Sequence, residues 1–214
     1  MKILLASLFD NVYPKKFAKG ELLLYEGDTI TKFYTIVSGF VKVYTILNEG
    51  TERIIFIYGP GDAFPLTSIL TQGNTAHYFY HAMTDVELLI MPTATFIDKM
   101  KNNLEAVEKI VQYTNDVNDQ FLQRINTLAV NDARRKIVAL LAFLSLKTGT
   151  PGAISHIGIP LTHQDMADMS GLTRETASVQ LMRLKREKVL SGNRSLSINV
   201  AKLEALKSKL AINL

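Results

Sequence analysis

Cysteine is missing from all 214 residues. Without thiolates the chain can form no disulfide and hold no sulfur-ligated zinc or iron–sulfur cluster, which fits a reducing cytoplasm. Also missing is any apolar run near the ~18–20 residues that a membrane-spanning helix needs, so no membrane partner is expected. The N-terminal stretch MKILLASLFDNVYP has a single Lys and a short apolar patch broken at Asp10 and Asn11, with no small-residue cleavage site after it. A structured amphipathic segment is expected there instead of a signal peptide. Low complexity is absent too: 47% hydrophobic and 21% charged residues describe a soluble globular protein with room for one large or two small domains.

The net charge of +4 is mild but unevenly spread. Residues 1–130 hold 11 Lys/Arg against 14 Asp/Glu, a balance of −3, whereas residues 131–214 hold 13 against 6, a balance of +7. A neutral-to-acidic front joined to a basic back suits a sensor attached to a module that binds a polyanion.

From Lys19 to about Pro92, short β-rich runs alternate with Gly-Asp and Gly turns: KGELLLYEGD, FYTIVSGFVKVYTILNEG, ERIIFIYGPGD and HYFYHAMTDVELLIMP. Turns recur about every ten residues and apolar residues alternate in Phe40–Tyr44 and Glu52–Tyr58, which predicts an antiparallel sandwich or barrel. Strands of this kind bury one face, so most Val, Ile, Leu and Phe here are expected in the core.

The residues Gly20-Glu21, Gly27-Asp28, Phe33-Tyr34, Gly39-x-Val41-Lys42-Val43-Tyr44 and Gly61-Asp62-Ala63-Phe64 resemble the β-roll of cyclic-nucleotide-binding domains. More specifically, the pattern is similar to the cyclic-AMP receptor and fumarate–nitrate regulator (Crp/Fnr) superfamily of bacterial transcription regulators. Members that bind cyclic nucleotides carry a Gly-Glu pair after the Gly-Asp turn, for the ribose hydroxyl, and an Arg-Ser/Thr-Ala segment for the cyclic phosphate. Here Leu66 stands about where that Glu would be, and no Arg lies between Arg53 and Arg124. Burying a phosphodiester charge without a cation is costly, so cyclic AMP is not the expected effector. An apolar pocket around Phe64, Leu66, Phe79 and Tyr80 would suit an uncharged or lipid-like effector, and core packing explains the same residues equally well. Thr67, Asn74, Thr75, Phe121 and Leu122 complete the candidate effector pocket. His77 and His81 are the only metal candidates in this part of the chain and are too few for a site on their own. No cofactor is assigned, and the small-molecule effector is unidentified.

From about Asn102 to Val130 the pattern turns helical. Leu104, Val107, Val111, Thr114, Asn118, Phe121, Ile125 and Leu128 step 3, 4, 3, 4, 3, 4, 3, a sustained heptad that predicts a parallel dimer helix with Asn118 fixing its register. The plainer alternative is that this stripe packs on the β-roll. The segment Leu128–Ile137 looks like the family's hinge, with Asp132 capping the next helix. Arg134–Lys147 reads as an amphipathic helix with Ile137, Leu140, Leu141 and Leu144 on one face. Thr148–Gly152 is a break, and Ile157–Pro160 suits a short strand.

Leu161–Leu190 then predicts two short helices broken at Ser170-Gly171-Leu172. Thr162 caps the first, with Asp165 three residues on as a capping box, and Thr173 caps the second. Met166 and Met169 face inward with Leu161, and Ala177, Leu181 and Leu184 share the buried face of the second helix. A recognition helix sets its N-terminal residues against base edges in the major groove. Arg174 can donate two hydrogen bonds to guanine, Glu175 can accept from the cytosine amino group, Ser178 can bond either a base or a phosphate, and Val179 can touch a thymine methyl. Thr162, His163, Thr173, Arg183, Lys185 and Arg186 are candidate phosphate contacts. Val189–Ile198 forms a hairpin that would complete a winged module, with Arg194 at its tip as a further phosphate contact. The run Thr173–Ser178 resembles the family's recognition-helix signature, except that many members have a base-reading Arg where Val179 stands.

The expected fold is α+β: residues 1–102 an N-terminal antiparallel β-roll, 103–130 a long dimerisation helix, and 131–214 a C-terminal winged helix-turn-helix. The resemblance implies a homodimeric transcription regulator, not an enzyme, that binds double-stranded DNA at a pseudo-palindromic operator under control of its β-roll. RNA polymerase is a further candidate partner. Two rivals are a regulator whose β-roll is only a scaffold and a cupin-like metal enzyme.

Overall fold

A computed structural model describes residues 8–9, 12–47, 50–71, 74–101, 103–129 and 132–212. The N-terminal segment up to Ser7, the turn residue Gly73 and the hinge pair Val130 and Asn131 fall outside them. The chain splits into two compact units, Met1–Asp119 and Gln120–Leu214.

The first unit begins with β1 (Lys15–Phe17), β2 (Leu22–Leu24), β3 (Lys32–Ser38), β4 (Val41–Ile46), β5 (Glu52–Tyr58) and β6 (Ala63–Phe64). The short helix α1 (Leu66–Leu70), strands β7 (Phe79–Ala82) and β8 (Val86–Pro92), helix α2 (Thr93–Lys101) and the start of α3 (Leu104–Ala129) follow. Two antiparallel four-stranded sheets form the roll, in the orders β1-β8-β3-β6 and β2-β7-β4-β5. Between them lies one core, with Tyr34, Ile36, Phe64, Val86 and Leu88 from the first sheet facing Leu24, Val41, Val43, Tyr80 and Ala82 from the second.

A second core lies on the other face of the first sheet, where Phe33, Ala63, Leu89 and Met91 pack with Phe96 of α2 and Ala106, Ile110 and Tyr113 of α3. Helices thus cover the face that a single sandwich would leave wet. This corrects the expectation that each strand buries one face only. It also explains why β3 and β8 are almost continuously apolar, as strands buried on both sides are. β4 keeps the expected alternation, with Val41 and Val43 in the core and the Lys42 ammonium over the Tyr44 ring, while the β4–β5 register shifts where β5 carries the extra residue Ile55. Gly39, at the β3–β4 turn, has φ +84°, and a Cβ there would sit 2.2 Å from the Asp85 carbonyl oxygen. No other residue fits that approach. Helix begins earlier than expected, at Thr93 instead of Asn102.

The second unit contains the end of α3, then α4 (Ala133–Thr148), β9 (Ile154–His156), α5 (His163–Ser170), α6 (Arg174–Arg186), β10 (Leu190–Ser191), β11 (Ser197–Asn199) and α7 (Val200–Lys209). Asp132 caps α4 by accepting from the Arg135 amide at 2.8 Å, as its position predicts. The four apolar residues expected on one face of α4 are buried, but so is everything from Ile137 to Leu144. α4 is a central helix packed by α5, α6 and α7, not an amphipathic surface helix. The strand expected at Ile157–Pro160 lies three residues earlier, as β9, which pairs with β11; Ile157 makes only an isolated bridge to Gly149. The hairpin β10–β11, registered Leu190 to Ile198, forms with β9 the three-stranded wing. α7, capped by Asn199, adds an element beyond those anticipated from the sequence.

Candidate nucleic-acid interface

The helix pair α5–α6 is set by local chemistry. Thr162 accepts from the Asp165 amide at 3.0 Å, while Asp165 accepts from the Thr162 amide at 2.8 Å, a reciprocal capping box. α5 ends at Gly171, whose φ of 66° and ψ of 33° place it in the left-handed region. Thr173 then caps α6 through the Thr176 amide. Leu161, Met166 and Met169 are buried, as are Ala177, Leu181 and Leu184, which anchor α6 to the unit.

What α6 leaves outside is the expected face. Arg174, Glu175 and Val179 are exposed, Val179 by 55%. Ser178 is half-buried, and its hydroxyl lies 2.8 Å from Nδ1 of His163 in the first turn of α5. The four base-reading candidates thus lie in the first half of one capped helix. Several phosphate candidates are already engaged within the chain. The Thr162 hydroxyl donates to Asp165 at 2.6 Å, so its one proton is taken. Arg183 reaches Glu187 at 3.3 Å, and Lys185 donates to Asn193 of the wing at 3.0 Å. Arg186 and Arg194 are exposed.

Two contacts that the sequence reading did not single out hold this unit together. Arg134, at the start of α4, grips Glu187 after α6 through two bonds of 3.0 and 2.7 Å. The bond to Arg134, joined by that from Arg183, holds the Glu187 carboxyl below its usual range. Arg124, near the end of α3, is buried and donates to the Met169 carbonyl in the last turn of α5, tying the long helix to the segment just before Gly171. An Arg among apolar helix positions is a sequence signal for such a contact, but its target is set by the fold.

Within the first unit the effector candidates lie in different surroundings. Phe64 lies between the sheets, stacked on Tyr34 at 5.1 Å, Tyr80 at 5.0 Å and Tyr58 at 5.8 Å. Burial raises the phenol pKa of Tyr34, Tyr58 and Tyr80, so these rings stay neutral at physiological pH. Leu66 belongs to the other core, while Thr67, Asn74 and Thr75 are exposed. Phe121 and Leu122 fall in the second unit. His81 lies in β7 with Nε2 3.0 Å from the Gly20 carbonyl oxygen, to which it donates, whereas His77 precedes the strand. Only one of the two rings is therefore carried by a strand. A groove of about 410 Å³ opens on the β1–β8 side, lined by residues such as Lys16, Ser38, Asp85 and Glu87, none of them among the effector candidates.

α3 carries two stripes. The heptad residues Val111, Thr114, Asn118 and Ile125 are exposed, with Val107 and Phe121 half-buried. The stripe one residue earlier, Ala106, Ile110, Tyr113 and Val117, is what packs on the roll. Tyr113 accepts from the Ala63 amide at 2.8 Å and donates to the Ala63 carbonyl at 3.0 Å, clasping the turn that leads into β6. Tyr113→Phe strands that buried amide, with an expected cost of about 1–3 kcal/mol in denaturant-induced unfolding.

A β-roll, a long helix and a winged helix-turn-helix with a basic exposed face define a DNA-binding transcription regulator. Residues 14–103 match the cyclic nucleotide-binding domain family, and residues 135–209 match the Crp-like helix-turn-helix domain family. The chain is 30% identical to the global nitrogen regulator of Nostoc sp. (strain PCC 7120) over 178 residues, covering 82% of this chain and 79% of that one. It is 26% identical over 192 residues to the transcriptional activator protein FnrL of Cereibacter sphaeroides, covering 87% and 76% of the two chains. FixK2 from Bradyrhizobium japonicum has the same fold, with a TM-score of 0.78 at 21% identity over 91% of this chain and 96% of that one. This protein belongs to the Crp/Fnr superfamily of transcription regulators. Its relatives are regulators and not enzymes, which sets aside the cupin-like reading. Among the described residues no helix is long and apolar enough to cross a membrane.

Proposed function

We propose that the protein works in the cytoplasm as a homodimer. It binds pseudo-palindromic operators whose half-sites lie about one helical turn apart, each α6 entering a major groove. The observation that carries this reading is the capped α6, which leaves Arg174, Glu175 and Val179 exposed while Ala177, Leu181 and Leu184 hold its other face. The three-part division fits the same picture, with residues 1–102 as roll, 103–130 as dimer helix and 131–214 as DNA head. Arg174, Glu175, Ser178 and Val179 act as readers, while His163, Arg186 and Arg194 approach phosphates. Thr162, Thr173, Arg183 and Lys185 join them where their internal bonds exchange for a phosphate. RNA polymerase is the partner such a regulator meets when it activates.

The test is Arg174→Ala, expected to cost roughly 1–3 kcal/mol of specific binding and to relax preference at one base pair. Unchanged base preference in an operator-library selection would defeat this readout.

In this reading the roll answers an effector other than cyclic AMP. Millimolar cyclic AMP is expected to leave operator affinity unchanged in fluorescence anisotropy, because an apolar core residue, Leu66, stands at the sequence position of the family's ribose-binding Glu and no Arg lies in the sequence between Arg53 and Arg124. A second reading, the roll as scaffold alone, is favoured by the stack of Phe64, Tyr34, Tyr58 and Tyr80 between the sheets. A thermal-shift screen separates the two, since a ligand of the folded state raises the melting temperature by mass action.

A further inference from the structure

Ser178 is a hydroxyl in the position of a base reader, and a hydroxyl is ambiguous. It can present its proton to a base acceptor, guanine O6 or N7 or thymine O4. It can equally present lone pairs to a base donor, the amino group of adenine or cytosine. An unconstrained Ser at such a position discriminates little. Here the hydroxyl is constrained, because Oγ lies 2.8 Å from Nδ1 of His163. The partner residue opens α5 directly after the Thr162 cap.

The imidazole decides the direction of that bond. A neutral ring whose proton sits on Nε2 has a lone pair on Nδ1, so Ser178 must donate to it and keeps only lone pairs for the groove. A ring whose proton sits on Nδ1 donates from it, so Ser178 accepts and its own proton is released toward the groove. We propose that His163 is a specificity-determining residue: through Nδ1 it sets whether Ser178 faces the major groove as hydrogen-bond acceptor or donor, and hence which base pair is preferred there. The proposal rests on Ser178 being a base reader, as given above.

The charges around the pair are identifiable. On α5 itself, Asp165 is committed to the Thr162 cap and Asp168 accepts from Gln164 at 2.7 Å. Along α6, Arg174 and Glu175 precede Ser178 by one turn, while Arg183, Lys185 and Arg186 occupy the far end. α4, which packs on both helices, brings Arg134, engaged with Glu187, then Arg135 and Lys136, with Lys147 donating to Gln120 at its other end. A DNA phosphate beside Nε2 would accept from that nitrogen and so favour the tautomer protonated there, which leaves Nδ1 to accept from Ser178. Phosphate contact and base preference are then linked through one side chain.

The experiment selects operator half-sites from a randomised library with the full-length wild type, Ser178→Ala and His163→Ala. The position read by Ser178 is defined as the one whose preference relaxes in Ser178→Ala. At that position the wild type is expected to favour adenine or cytosine, whose amino groups donate, over guanine or thymine by about fivefold. His163→Ala, which frees the hydroxyl to donate as well as accept, is expected to lose that preference while other positions keep theirs. A wild-type preference for guanine or thymine there, or a preference that persists in His163→Ala, overturns the proposal while leaving Ser178 a reader. If Ser178→Ala relaxes no position, the reading beneath it is what fails.

Discussion

Replacing Val111 and Ile125 together by Asp should give a monomer whose operator affinity falls by about 10²- to 10⁴-fold, the range lost when a second linked half-site can no longer be engaged. Both residues lie on the heptad seam of α3 and are open in the single chain, at 53% and 60% exposure. Substitution therefore removes nothing from the core of either unit. In a parallel helix pair each carboxylate would meet its symmetry mate, and burying unpaired like charges there is far more costly than the packing gained. Sedimentation velocity reads the assembly, and anisotropy with full and half operators reads the affinity. A variant that stays dimeric and binds normally would remove α3 as the dimer element.

Phe64→Ala should destabilise the first unit by about 3–5 kcal/mol, the usual penalty for deleting a buried Phe. The ring is fully buried and has three stacked neighbours, Tyr34, Tyr58 and Tyr80, drawn from both sheets. No nearby side chain is placed to collapse into the space without breaking that stack, so most of the cavity cost remains. Guanidinium unfolding gives the value directly. A loss below about 1 kcal/mol would mean that Phe64 borders space already available to a ligand, and the scaffold reading of the roll would fall with it.

The DNA head was largely legible in the residues because its determinants are local. Thr162 and Asp165 cap through a three-residue spacing, Gly171 supplies the one residue suited to a left-handed turn, and the 100° step of α6 separates Ala177, Leu181 and Leu184 from the exposed Arg174, Glu175 and Val179. Such features need no knowledge of distant chain. The roll was legible as alternation and turns, but which strands would be buried on both faces was not. That outcome depends on α2 and α3 returning over the first sheet, a contact between residues more than sixty positions apart in the case of Phe33 and Phe96. The second stripe of α3 was present in the sequence at Ala106, Ile110, Tyr113 and Val117, hidden beside a more regular heptad one residue later.

By itself, then, the order of residues determined the architecture, the family and the exposed face of α6, since periodicity, caps and charge are properties of neighbouring positions. Tertiary structure alone decided that Phe64 and Leu66 enter separate cores, that Arg124 reaches Met169, and that His163 reaches Ser178. Each of these is a meeting of side chains from separate elements, whose distance is set by packing and not by spacing in the chain. The last of them gives Ser178, legible in the sequence only as a hydroxyl on a recognition helix, the partner that decides which way its proton points.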